Sequence, residues 1–296
     1  MKLTQVKGNT WVAEGLELIP FYRLDDGRCI LLDTGFYREG EELERSLLDA
    51  GLTPAAILGS HAHIDHAGNN ARFQRKYNLP VALTAAEAGL CSDVLNLKCS
   101  TSVGTPGIAR AEMGPMVLTA DIVLPNADST PELLGVTFRC IYTPGHSPGH
   151  ICVITPDNVC YVGDALLSGD LLHAKLPYCL DHAEDARSKQ RLRDLNCDLY
   201  IAAHRGVFSD ANAMVDKNLS LMRQRAQQIL SVVDRPMTFS QINERACALL
   251  DVHPKTPRRA MGLEASMRFF VEHLVDRGEL ILSVENRIVH YAPTQQ

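Results

Sequence analysis

Ser60-His61-Ala62-His63-Ile64-Asp65-His66-Ala67-Gly68 places three imidazoles and a carboxylate within six residues. It follows the apolar run Ala55-Ala56-Ile57-Leu58, which is bounded by Pro54 and Gly59. A run that short between such breakers reads as a buried strand. The polar groups therefore leave the end of a strand on a loop. Neutral imidazole and ionised carboxylate are the donors preferred by zinc and similar divalent metals. His61 and His63 alternate, so in extended backbone they point the same way and can hold one ion. Asp65 and His66 come after the chain has turned and can face a second. A histidine pair alone is more often a surface or core feature, so the rest of the chain decides.

Three later stretches repeat the arrangement. Thr143-Pro144-Gly145-His146-Ser147-Pro148-Gly149-His150 follows an expected strand over 136–142. Val162-Gly163-Asp164 closes one over 159–162, and Ala202-Ala203-His204-Arg205-Gly206 closes one over 199–203. Upstream, Leu31-Leu32-Asp33 ends a strand over 28–32. Apolar strands that each deliver a His or Asp at their end are expected to bring those groups to one edge.

Working outward, short strands over 2–6, 11–14, 17–24 and 28–32, separated by glycine-containing turns, suggest an antiparallel meander. Helical spacing marks 41–50 and 69–77, and 80–83 reads as a strand. Residues 85–114 begin helical and then read as loop through 99–107, either a substrate-covering element or solvated padding. A second strand group is expected over 122–124, 136–142, 151–155 and 159–162, then a helix over 185–195, a strand over 199–203 and a long helix over 211–233. Two β-rich halves, each backed by helices and packed sheet to sheet, account for this order.

The chain changes character near residue 232. Helices over 238–250, with Thr238 as N-cap, and 261–277 precede a hairpin over 280–284 and 288–291. This is a winged-helix-like pattern, dividing the chain into domains 1–231 and 232–296. From 232 onward eight basic residues balance eight acidic ones, so the net charge of −6 belongs to the first part. A nucleic-acid reader would be basic, so a packing or substrate-wall role is favoured for the tail.

Composition narrows the classes. The 296 residues suffice for one large domain and a small one. No apolar run approaches the ~18 residues of a membrane span, and no apolar core follows the early lysine as in a signal peptide. Nine scattered cysteines without a CxxC pair read as free thiols in a reducing cytoplasm.

Asp33, the His61/His63/Asp65/His66 loop, His146, Asp164 and His204 resemble the pattern of the metallo-β-lactamase-fold hydrolase superfamily, over roughly residues 1–230. The tail, with Arg225-Ala226-Gln227-Gln228-Ile229-Leu230 before it, resembles the winged-helix end of the glyoxalase II-like, β-lactamase-like protein 2 group. The resemblance implies an α/β, four-layer αββα sandwich. It implies one metal held by His61, His63 and His146, a second held by Asp65, His66 and His204, and Asp164 bridging both. The ions would be zinc, with iron or manganese as alternatives. Asp33 would orient a ligand histidine through its other ring nitrogen, and His150 would support the site without ligating. Arg205, which replaces a glycine of the family pattern, and Tyr178 are candidate substrate contacts.

Paired cations ionise a shared water and polarise a carbonyl. The resemblance thus implies a hydrolase with Asp65 and Asp164 in the catalytic machinery. The β-lactamases of that superfamily lack an acid at the position matching Asp164, so the resemblance implies thioesters, esters, lactones or phosphodiesters as substrates, and the apolar segment 166–180 could line an acyl pocket. Hydrolysis of a small-molecule acyl thioester or ester is the leading expectation. A single-strand endoribonuclease, and an iron-dependent persulfide dioxygenase or non-catalytic ligand sensor, are the alternatives. A homodimer is compatible with the tail.

Overall fold

A computed structural model of the chain describes residues 1–101, 104–204 and 206–294. Strands β1 (Lys2–Lys7), β2 (Thr10–Glu14), β3 (Leu18–Arg23) and β4 (Arg28–Leu31) form the antiparallel meander. Helix α1 (Gly40–Asp49) crosses to β5 (Thr53–Leu58), and α2 (Asn70–Tyr77) crosses to β6 (Val81–Thr84). Helices α3 (Ala85–Cys91), α4 (Val94–Thr101) and α5 (Pro106–Met113) precede β7 (Ile122–Leu124). From β4 to β7 the strands run parallel, and the sheet order is β1 to β7.

A small ribbon of β8 (Glu132–Leu133) and β9 (Val136–Thr137) leads into the second sheet. That sheet holds β10 (Arg139–Tyr142), β11 (Ile151–Ile154) and β12 (Val159–Gly163). After α6 (His182–Arg191) it is completed by β13 (Leu199–Ala202) and β14 (Gly206–Phe208). Helices α7 (Ala211–Leu230), α8 (Phe239–Leu249) and α9 (Pro257–Asp276) follow, then the hairpin of β15 (Leu280–Glu285) and β16 (Ile288–Pro293).

The period of two along each strand assigns the layers. Ala56, Leu58 and Ala82 face Val153, Tyr161 and Ile201 between the sheets. Ile57, Val81 and Leu83 point the other way, onto Leu43 and Leu47 of α1 and Phe73 of α2. Cys160, Val162 and Tyr200 pack outward on Val215 of α7. Both sheets are thus covered on both faces, as their near-continuous apolar strands require. Each fully buried Leu, Ile or Phe here contributes roughly 1.5–3 kcal/mol.

Three sequence expectations need correction. Residues 122–124 close the first sheet rather than open the second. An apolar trio carries no register of its own; here the Val81 N–H donates to Asp121 Oδ2 at 2.9 Å and sets the pairing with β6. The single strand expected over 136–142 breaks at Phe138, because Leu134 and Gly135 both take positive φ and fold 136–137 back on 132–133. Of the loop expected over 99–107, residues 99–101 belong to α4 and 106–107 to α5, which starts with Thr105 Oγ1 accepting from the Ile108 N–H; 102–103 lie outside the described residues. The strands expected from the sequence also lack β14, which is three residues long.

A third core gathers Ile242, Ala246, Phe270, Leu274 and Leu280 around Ala226 and Ile229 of α7. Ala211 and Val215, at the other end of α7, belong to the sheet's outer core, so one helix serves both. Thr238 and Gln241 form a capping box on α8. Met237 and Tyr291 exchange backbone hydrogen bonds and tie the start of α8 to β16. No helix among the described residues is long and apolar enough to cross a membrane.

Topology fixes where the polar ends go. Strands β4, β5 and β6 run in one direction. β10 and β12 are both antiparallel to β11, and β13 is parallel to β12, so these three also share a direction. Open α/β sheets place their sites beyond the carboxyl ends of such strands.

Candidate metal centre

The carboxyl end of β5 delivers His61, His63, Asp65 and His66; β10 delivers His146, β12 Asp164 and β13 His204. The ligand-type atoms of His61, His63, His146 and Asp164 all lie within 4.8 Å of one another, and so do those of Asp65, His66, Asp164 and His204. Asp164 belongs to both groups.

In the first group His63 Nδ1 lies 3.0 Å from His61 Nε2 and 2.9 Å from His146 Nε2. His146 Nε2 is 3.2 Å from Asp164 Oδ2. The Ser60 hydroxyl donates to Asp33 Oδ2 at 2.6 Å, so Ser60 Oγ accepts from His61 Nδ1–H at 3.0 Å. His61 Nε2 is then a bare lone pair aimed at the other two rings. Burial, reinforced at His61 by the neighbouring imidazoles, pushes His61 and His146 well below the usual histidine range and lowers His63. Neutral rings crowded nitrogen to nitrogen are suited to a cation between them.

The second group is electrostatically different. Burial opposes the charged form of His66, but Asp164 and Asp65 outweigh it and raise its pKa well above normal. At His204 burial is likewise overcome, by Asp164 and Glu17, and the pKa rises to about 10. Burial would raise Asp164, yet His66 and His146 hold it well below the carboxylate range. His66 Nε2 and Asp164 Oδ1 are buried 3.3 Å apart, and among the described residues neither has a hydrogen-bond partner. Orphaned buried polar atoms of this kind call for an explanation; a cation shared by both groups supplies one, and the donor set suits a borderline divalent metal.

Supporting residues fix these rings. Asp33, at φ +88° beyond β4, accepts from Ser60 N–H at 2.7 Å, from Tyr161 O–H at 2.6 Å and from His66 Nδ1–H at 2.8 Å. It thereby turns His66 Nε2 inward. His150 Nε2 accepts the Asp164 N–H at 3.2 Å, and its Nδ1–H donates to Thr143 Oγ1 at 2.8 Å. Both ring nitrogens are thus used away from the cluster, to hold the backbone of Asp164. Gly163, at φ +50°, permits this, because a Cβ there would meet His150 Nε2 at 2.7 Å.

Two supports were missed in the sequence. Glu17 Oε2 lies 2.5 Å from His204 Nδ1. Glu87 is fully buried and accepts from the Ala62 N–H at 2.8 Å, the Ser147 hydroxyl at 2.7 Å and the Gly149 N–H at 2.6 Å. Glu87 follows an apolar strand end just as the ligand-type residues do, and that signal was available. Glu17 is separated from its partner by most of the domain and left none.

A cavity of about 370 Å³ opens over the cluster, with His63, Asp65, His146, Asp164 and His204 in its floor. Leu167, Leu171, Ala174 and Leu176, all from the segment expected to be apolar, form one wall, and Leu97, Met113 and Met116 another. The α9 wall carries Arg258, Arg259 and Gly262, none of them expected from the sequence. Tyr178 also lines the cavity; its ring packs edge-on to His63 and His146 at 5.2 and 5.4 Å, and its hydroxyl donates to the Ser100 carbonyl at 3.2 Å. Arg205 lies outside the described residues.

The chain is similar to several known proteins. A "probable metallo-hydrolase YqgX" of Bacillus subtilis is 29% identical over 152 residues, 51% of this chain and 64% of that protein, so the chain spans less than two thirds of its length. An atrochrysone carboxyl ACP thioesterase of Pseudocercospora fijiensis is 22% identical over 88% of this chain and 67% of its own. The crystal structure of a metallo-beta-lactamase family protein from Thermus thermophilus superposes with a TM-score of 0.72 at 21% identity, covering 94% of this chain and 93% of that one, which shows a common fold. The model of the metallo-beta-lactamase superfamily matches residues 14–204, the interval from the second strand to the last histidine of the cluster. On that match, the chain belongs to the metallo-beta-lactamase superfamily.

Proposed function

We propose that this chain is a metal-dependent hydrolase of acyl thioesters or esters that works with two divalent ions, zinc foremost. The observation that carries the proposal is Asp164, common to two converging ligand groups at the floor of an apolar cavity. His61, His63 and His146 would hold one ion, Asp65, His66 and His204 the other, with Asp164 between. Bound there, the ions would supply a water ionised near neutral pH and a polarised carbonyl oxygen.

The chain's own residues set the rest. Asp33 and Glu17 hold His66 and His204 in the tautomers that face the cluster. Asp65 Oδ2, 3.9 Å from His204 Nε2 and in the cavity floor, is placed to take the proton given up by attacking water and pass it to the leaving sulfur or oxygen. Leu97, Met113, Leu167 and Leu171 exclude water and accommodate an apolar acyl group. The thioesterase name of one relative is consistent with that substrate class. The unit of α8, α9 and the β15–β16 hairpin acts in this scheme as a winged-helix-like wall, residues 232–296, on a catalytic domain of residues 1–231.

The test is metal analysis of protein purified without added metal, followed by a panel of acyl thioesters, esters and lactones. Two zinc equivalents and thioester cleavage are expected. Asp164→Asn should lose metal and reduce kcat/KM at least about 100-fold. A fully metallated protein that cleaves nothing in the panel refutes the proposal, and so does one iron per chain with oxygen uptake on a persulfide.

A further inference from the structure

Among the described residues, three of the nine cysteines gather on the outer face of the second sheet: Cys152 of β11, Cys160 of β12 and Cys197, two residues before β13. Strand register brings them together. Ile154 opposes Cys160, and Cys160 opposes Tyr200, so these side chains share one face. The Tyr200 hydroxyl accepts the Cys197 N–H at 3.3 Å and donates to the Leu195 carbonyl at 2.6 Å, which holds residues 195–197 against that face. Asn158, just before β12, clasps the same segment. Its carbonyl accepts the Asp198 N–H at 3.0 Å, and its Nδ2 donates to the Asn196 carbonyl at 3.1 Å. The Cys160 thiol is thereby in hydrogen-bonding contact with the sulfurs of Cys152 and Cys197.

The three thiols are not equivalent. Cys152 and Cys160 are fully buried, whereas Cys197 is half-buried at the rim of the cluster. The contact with Cys160, joined by the charge of Arg139, lowers the Cys197 pKa in spite of burial. Contacts with Cys152 and Cys197, and then burial, push Cys160 well above the thiol range. The rim sulfur thus has thiolate character and a route to solvent, and a protonated thiol stands behind it. Cys247, also half-buried, differs: its thiol donates to Asn243 Oδ1 at 3.7 Å, and burial raises its pKa.

We propose that Cys197 and Cys160 form a modification site, in which a hydroperoxide oxidises Cys197 and Cys160 resolves it to a disulfide between β12 and the approach to β13. The Cys197 sulfur attacks a peroxide oxygen and the O–O bond breaks. The departing oxygen takes a proton and leaves as water or an alcohol, and Cys197 becomes a sulfenic acid. The Cys160 sulfur then attacks that of Cys197, the S–O bond breaks, and the hydroxyl leaves as water with the Cys160 proton. One hydroperoxide is reduced by two electrons and two thiols are oxidised to one disulfide. The bridge closes the excursion from 160 to 197, which carries Asp164, the aliphatic wall after it and α6.

Hydrogen peroxide treatment of the zinc-loaded full chain, then alkylation, trypsin and mass spectrometry, tests the assignment. Residues 140–175 and 194–205 fall in separate tryptic peptides. The expected product joins the two with the loss of two hydrogens, and fragmentation places the bridge at Cys160, not at Cys140 or Cys152. Cys197→Ser should abolish the joined peptide. Cys160→Ser should leave a sulfenic acid at Cys197 that dimedone captures. Wild type alone gives a second measurement, free of any disturbance that serine causes in the core. Iodoacetamide at neutral pH should modify Cys197 about tenfold faster than Cys247. No joined peptide, a bridge that avoids Cys160, or equal alkylation of Cys197 and Cys247 overturns the proposal.

Discussion

Glu87 accepts hydrogen bonds from three donors on two loops, Ala62 and Ser147 with Gly149, which flank His61/His63 and His146. Truncation to Ala would strand all three donors in a dry interior, at a cost of about 3–5 kcal/mol. Urea denaturation of Glu87→Ala should show that loss together with weaker metal retention. A variant as stable as wild type would mean the loops hold themselves. At this scale the sequence was informative where chemistry is dense and local. His61, His63, Asp65 and His66 stand out because one short loop carries them, and His146, Asp164 and His204 because each closes an apolar strand. Glu87, just past the end of β6, carried the same strand-end signal and was passed over, whereas Glu17 was not legible because its partner His204 is distant in sequence and a lone acid at a strand edge resembles any solvated one.

Helix α6 links the cluster to the C-terminal helices. The Ser188 hydroxyl donates to the Pro144 carbonyl at 2.6 Å, and Gly145, at φ +128°, would drive a Cβ into the Asp185 backbone at 2.3 Å. The His146 loop is therefore pressed onto α6. At the start of α6 the His182 ring packs 4.1 Å from Phe270 and 5.2 Å from His273 of α9. Burial, aided by His273 and Lys189, lowers the His182 pKa to about 3. With the folded value below the unfolded one, the unfolded chain binds the extra proton. Stability from this site is complete above about pH 6.5 and is lost as pH falls from there towards 3, at up to about 1.4 kcal/mol per pH unit. His182→Phe should flatten the fall in melting temperature between pH 6.5 and 4; an unchanged slope would assign the acid sensitivity elsewhere. Long elements with clear periodicity, α1, α7 and α9, were legible in the sequence. β7 and the break at Phe138 were not, because strand partners are set by tertiary pairings such as that of Asp121 with Val81.

Across the whole molecule, buried imidazoles and carboxylates are held against one another at the junction of two sheets. Chelation should therefore reach beyond activity. Removing the ions should lower the melting temperature by about 10 °C, on the order of 4 kcal/mol, and re-addition of zinc should restore it. Identical melting curves with and without chelator would contradict metal binding at the cluster. The αββα architecture could be anticipated because apolar strands alternating with amphipathic helices admit few solutions. The cavity could not, since its walls come from α4, α5, the segment after Asp164 and α9, which meet only in the finished fold.

Helix α7 roots one end in the outer face of the second sheet and the other in the C-terminal core. On a ribosome, a nascent polypeptide emerged as far as α7 would already own every imidazole and carboxylate of the cluster. Its cavity would still lack the side that α9 builds, leaving Leu176 and the aliphatic lining open to solvent. On the proposed hydrolase reading, selectivity for a cargo would thus be acquired last during synthesis, after the cluster that attacks it.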